Sequence, residues 1–167
     1  NASAGFGLVV LRAADNRDKG MELEANAREL ESIIHNVNSI FTTNDLTYLY
    51  RGGRVSKTAA AFGTALNIVP IMHLDYEGHL EVWQKVRGDK QCFKKVLKDI
   101  KELVENAGEQ TLIVSEADAP EKAREYGAAL VAECGFRDVF YTHIGPIIGA
   151  HTGPGLISVF FVGKERS

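Results

Sequence analysis

Val139-Phe140-Tyr141-Thr142-His143-Ile144-Gly145-Pro146-Ile147-Ile148-Gly149-Ala150-His151-Thr152-Gly153-Pro154-Gly155, followed by Leu156 to Val162, is the stretch on which the fold reading turns. Val139 to Tyr141 and Leu156 to Val162 are β-prone apolar runs, so one strand delivers the chain into a glycine-rich segment and another takes it away. Gly145 to Gly155 reads as a loop held in one unusual path, because glycine permits positive φ and proline fixes φ and removes a donor. Successive amides in such a path can turn inward as an anion nest, with Gly149 and Thr152 in its wall and His151 adding a directed hydrogen bond or a proton. A carboxylate or phosphate suits that cradle. The same pattern also suits a tight connection between strands whose histidine merely packs.

Working back from this segment, Glu121 to Cys134 is a helix opened by Asp118 and Pro120 and closed by Gly135. Thr111 to Val114 is a short strand. Lys90 to Ala107 carries a helical stripe of Phe93, Val96, Leu97, Ile100, Leu103, Val104 and Ala107, with lysines 94, 95, 98 and 101 around it as a solvated face. Ile68 to Leu74 and the run from Leu80 form a hairpin about Tyr76-Glu77-Gly78, with Pro70 pointing to an edge or a bulge. From Ile68 the order is therefore strand, strand, helix, strand, helix, strand, loop, strand. The simplest packing is a two-layer α+β domain over residues 46–167, a mixed sheet with its helices on one face.

Thr58 to Leu66 is a small, apolar helical run. Before it, Asp45 to Tyr50 is a short helix ending in Arg51-Gly52-Gly53-Arg54-Val55-Ser56-Lys57, a basic turn that suits a phosphate, an acidic partner or routine surface charge. Its spacing is not that of a phosphate-binding P-loop. Leu23, Ala27, Leu30, Ile34 and Val37 mark an amphipathic helix between Gly20 and Asn38, and Ser39 to Thr42 a short strand. Gly5 to Ala14 reads as a helix buried on most sides, with Ser3 at its positive end either as an anion ligand or as an ordinary cap. Residues 1–45 thus read as the helical tail of an N-terminal α/β domain, and Asn1 to Gly7 as a cut inside a longer chain.

The 167 residues suit one domain with part of another, at 45% hydrophobic and 25% charged. With 19 basic against 22 acidic residues, the formal charge of −3 disfavours a nucleic-acid surface. No apolar run approaches the ~20 residues of a spanning helix. Cys92 and Cys134 have neither metal nor redox spacing, so free thiols in a reducing compartment, and hence the cytoplasm, are expected.

Five ordered motifs carry a family resemblance: Ser3-Ala4-Gly5-Phe6-Gly7; Leu46-Thr47-Tyr48-Leu49-Tyr50-Arg51-Gly52-Gly53-Arg54-Val55-Ser56; Leu66-Asn67-Ile68-Val69-Pro70-Ile71; Lys85-Val86-Arg87-Gly88; and Gly145 to Gly155. In order and spacing they resemble DegV-family proteins, bacterial fatty-acid-binding proteins that include the FakB subunits of fatty acid kinase. The resemblance implies a binding protein, not an enzyme. Such a protein holds a long-chain fatty acid between two domains and presents its carboxylate to a separate kinase subunit, which forms an acyl phosphate for phospholipid synthesis. His151 matches the family histidine that hydrogen-bonds the carboxylate, and Arg87, with Arg54 on the same rim, a position that docks the kinase. Ser3, Gly149 and Thr152 are further carboxylate candidates; Phe6, Leu8, Phe62, Leu66, Ile68 and Ile71 are candidates for the acyl tail or for plain core. The chain departs from the family in lacking the preceding stretch with its hydroxyl ligands, and in Val69, where a basic residue is frequent. No cofactor or metal is expected beyond the lipid itself.

Two other functions remain open on the sequence. An acyl-ester or phosphate-handling enzyme would use His151, though no motif joins it, or His35, His73, His79 and His143, to a nucleophile and an acid. A protein-interaction module would use the basic turns.

Overall fold

The computed structural model describes residues 1–56 and 67–167; the helix expected over Thr58 to Leu66, with Phe62 and Leu66, lies outside the described residues. In chain order the elements are α1 (Ser3–Asp18), α2 (Leu23–Ile33), β1 (Val37–Thr42), α3 (Thr47–Arg51), β2 (Ile68–Leu74) and β3 (Leu80–Arg87). There follow α4 (Asp89–Leu103), β4 (Thr111–Ala117), α5 (Pro120–Cys134), β5 (Asp138–His143), α6 (Pro146–Thr152) and β6 (Leu156–Val162). The strands form one mixed sheet in the order β3-β2-β1-β6-β4-β5. Only β4 and β5 are parallel neighbours, and the other pairs are antiparallel. It follows that β1, β3, β4 and β5 all run one way, and that their carboxyl ends meet at one end of the sheet.

The position of β1 corrects the division expected at residue 45. This strand lies between β2 and β6, so a segment assigned to another domain's tail supplies the middle of the sheet. The strand expected over Ser39 to Thr42 is there and starts earlier, at Val37, but its polar residues concealed its central place. Asn38 and Thr42 are buried but satisfied, Asn38 Nδ2 donating to the Asn36 and Lys164 carbonyls and Thr42 Oγ1 to that of Pro70 at 2.8 Å. Pro70 sits in an interior strand, just past the end of the β1–β2 pairing at Thr42↔Ile71. A register shift against β3 at Ile71/Met72 supplies the bulge.

Helices also cover both faces, where one was expected. Alternate residues of a strand point to opposite faces. Ile40, Leu112, Val114, Ile157, Val159 and Phe161 pack with Val96 and Ile100 of α4 and Tyr126 and Leu130 of α5 in the main core. On the other face α1 crosses β1 and β6 at Gly5, where an added Cβ would come within 3.1 Å of Ser39 Oγ and 3.3 Å of Phe160 Cδ1. A smaller cluster there joins Phe41, Leu46, Leu49, Met72 and Leu156. The reason is that β1 and β6 are buried along nearly their whole length, which requires cover on two sides.

α1 is not buried on most sides. Only Gly5 and Asn16 are buried, Asn16 because its Nδ2 reaches Asn26 and Glu29 of α2. Phe6, Val10 and Leu11 are 59%, 49% and 56% exposed.

Candidate functional site

The segment read as a loop is instead the short helix α6. Gly145 precedes it in extended conformation, Pro146 takes the first helical position, and Gly153 ends it at φ +74°. The Gly149 amide donates to the Gly145 carbonyl at 2.9 Å, and the Gly153 amide to that of Gly149 at 2.8 Å. Those amides are consumed by the helix, so the expected nest does not form from them. Thr152 is buried, its Oγ1 donating to the Ile148 carbonyl at 3.1 Å.

α6 sets His151 against the end of α3. α3 starts where the Thr47 amide donates to Asp45 Oδ1 at 2.7 Å. It ends at Gly52, whose missing side chain is where the His151 imidazole sits; a Cβ there would collide with Nδ1. Gly153 is packed as tightly against the Tyr48 ring. The exposed Arg54 donates from Nη1 to the Gly52 carbonyl, which places a guanidinium beside the seat of the half-buried imidazole.

This constellation stands where β1, β3, β4 and β5 finish. Arg87, exposed at the end of β3, and Ile68, half-buried at the start of β2, belong to the same end. Ser3 lies on α1 two residues before Gly5, which meets Ser39 in the middle of β1, and Asn1 Nδ2 beside it donates to the Ile34 carbonyl at 2.8 Å. Ser3 lines a separate groove of about 460 Å³ between α1 and strands β4 and β5, with Leu11, Phe140, Ser115 and His143. Of the tail candidates, Phe6 is exposed and Leu8 half-buried on α1, whereas Ile71 is fully buried under α4 on the opposite face.

Two polar features escaped the sequence reading. Among the described residues, the hydroxyls of Ser39 and Ser115 are buried without a hydrogen-bond partner, both on the face that α1 crosses. Glu116, 3% exposed, accepts from the Ala119 amide at 2.7 Å and pairs through its other oxygen with His143 Nδ1. The parallel register Glu116↔His143 creates that pair, and residues 27 apart give no local sign of it. Both cysteines are free, and burial pushes their thiols up. Among the described residues no group of three or more His, Cys, Asp or Glu could hold a metal, and no helix is long and apolar enough to cross a membrane.

The model of the DegV family, described as uncharacterised proteins, matches residues 1–164. A DegV domain-containing protein of Clostridium perfringens, CPE0026, is 32% identical over 165 residues, 99% of this chain and 57% of its own length. The chain thus spans little more than half of the curated relatives it matches. Among solved structures, the fatty acid binding DegV family protein SAG1342 from Streptococcus agalactiae superposes with a TM-score of 0.80 at 27% identity, covering 95% of this chain and 56% of that one. A DegV family protein from Ruminococcus gnavus, refined with vaccenic acid, gives 0.82 at 26% identity, covering 92% and 55%. With a family match across nearly the whole sequence, the chain belongs to the DegV family.

Proposed function

We propose that this chain is the larger part of a fatty-acid-binding protein in which His151 receives the ligand's carboxylate and the neighbouring apolar surface takes its tail. The observation that carries the reading is the seat of His151 on Gly52 at the margin of a sheet face left unfinished. Phe6, Val10, Leu11, Phe140, Ile147 and Ile148 are all exposed on α1, β5 and α6. Burying a methylene is worth roughly 0.8 kcal/mol, so a tail of about 15 methylenes offers on the order of 12 kcal/mol before losses of freedom. One imidazole and a few hydroxyls contribute far less, but they decide which end faces outward.

Phe6, Leu8 and Ile68, with Phe62 and Leu66, are the tail contacts of this reading; Ile71 supports the wall from behind. Gly149 and Thr152 shape the helix that carries His151, and Ser3 serves the tail groove. The exposed surface of α1 and α2 meets a further domain, whose hydroxyls complete the carboxylate site. Arg54 and Arg87 form the rim on which a separate fatty acid kinase docks, and catalysis belongs to that kinase. The kinase role rests on the sequence resemblance alone.

The protein, produced at its natural length, is expected to release a long-chain fatty acid on denaturing extraction, detected by mass spectrometry. His151→Ala should weaken binding of oleic acid about tenfold while leaving oleyl alcohol unaffected. Arg87→Ala should leave binding intact and slow phosphorylation by the cognate kinase. Absence of any co-purified or added lipid would overturn the proposal, and an unchanged phosphorylation rate would remove the docking role alone.

A further inference from the structure

On the face turned away from α1 and His151, helices α4 and α5 leave between them a groove of about 770 Å³. Its floor is apolar: Phe93, Leu97 and Tyr126, with the Phe93 and Tyr126 rings 4.6 Å apart. Its two rims carry opposite charge. The α4 rim presents Lys94, Lys98 and Lys101, all exposed and spaced at four and three residues, which places them in one row along the helix. Lys98 makes only a 3.7 Å contact with Glu102, and Lys94 and Lys101 have no ion-pair partner among the described residues. The α5 rim presents Glu125 and Glu133. A Lys122–Asp89 bridge of 3.1 Å closes the end where both helices begin.

The two helices run side by side in the same direction. Asp89 and Lys122 meet near their starts, and Cys134 Sγ lies 3.8 Å from the Leu97 carbonyl farther along. Each has 15 residues, so the groove runs for about 22 Å at ~1.5 Å per residue. Its length and apolar floor match an amphipathic helix of about four turns. A protein with a net charge of −3 has gathered a basic row on one side of that floor only.

We propose that this groove seats an acidic amphipathic helix of a partner protein. Its apolar stripe lies on Phe93, Leu97 and Tyr126, its carboxylates face the lysine rim, and a neutral or basic edge faces Glu125 and Glu133. An anionic membrane is the poorer match, because a flat surface cannot enter the groove and would meet the glutamates as well as the lysines. The site lies on the opposite face from the lipid surface and does not depend on the lipid reading.

The test uses a fluorescein-labelled helical peptide of 15 residues with leucines in one stripe, glutamates on one flank and glutamines on the other. A peptide of the same composition with the stripe scrambled, and vesicles containing phosphatidylglycerol, serve as competitors. The striped peptide should bind the natural-length protein, and Lys94→Glu, Lys98→Glu and Lys101→Glu together should weaken binding at least tenfold without moving the thermal midpoint. Equal binding of the scrambled peptide, indifference to the charge reversal, or preferential recovery of the protein on the vesicles would each overturn the proposal.

Discussion

The two faces of the sheet are finished to different standards. Under α4 and α5 the core is closed, with Ile100, Leu112, Val114 and Leu130 at zero exposure. Across the sheet, α1 covers β1 and β6 but leaves Phe140 at 58% exposure and two buried serine hydroxyls unpartnered among the described residues. A protein that needed only to fold would gain by closing both faces. The closed face supplies the stability, and the open face is where His151 and the exposed apolar residues of α1 and α6 stand ready to receive something else.

The widest separation between the faces should appear in core truncation. Leu112→Ala removes a fully buried side chain from the closed face and should cost about 2–5 kcal/mol, read as a lower urea midpoint. Phe140→Ala on the open face should fall within about 0.5 kcal/mol of the parent, although the residue is larger. Equal losses at the two positions would break the comparison, because they would mean that the open face is already packed.

The serines sharpen it. Ser115 is 1% exposed, with no hydrogen-bond partner for its hydroxyl among the described residues, and lines the α1 groove. Burying an unpaired hydroxyl is unfavourable, so Ser115→Ala in lipid-free protein should be neutral or stabilising by about 1 kcal/mol in chemical denaturation. A clear loss of stability would show instead that the hydroxyl is satisfied, and that this face is more complete than its geometry indicates.

What could be read without coordinates follows the same division. The hairpin, α4 and α5 were legible because their apolar residues recur at the period of a single buried face. β1 was only half legible: Asn38, Ser39 and Thr42 interrupt it, and the partners of Asn38 and Thr42, Lys164 and Pro70, lie far along the chain. α1 misled because its apolar content suggested a buried helix, whereas in this chain much of that surface is open. α6 misled through its glycines, which read as loop-formers although Pro146 and Gly153 delimit a helix. His151 was picked out from the sequence, but its contact with Gly52, 99 residues away, is tertiary and has no local signature.

The smallest effect expected sits at the margin of the closed face, where His73 stacks on Trp83 at 5.1 Å. Burial holds its imidazole below the ordinary value of 6.5, opposed by the charges of Glu81 and Asp75 and assisted by Arg166. The folded protein therefore resists the proton that the unfolded chain accepts. As pH falls below about 6.5 the unfolded state binds more protons than the native one, so stability declines through the interval down to the lowered folded value and then levels off. Urea midpoints measured at pH 7.5 and 5.0 should fall less in His73→Gln than in the parent. The other four histidines are present in both proteins, so the difference between the two slopes isolates this one ring. If the slopes coincide, His73 is solvated in the folded state, and the closed face ends one residue earlier on β2 than its packing indicates.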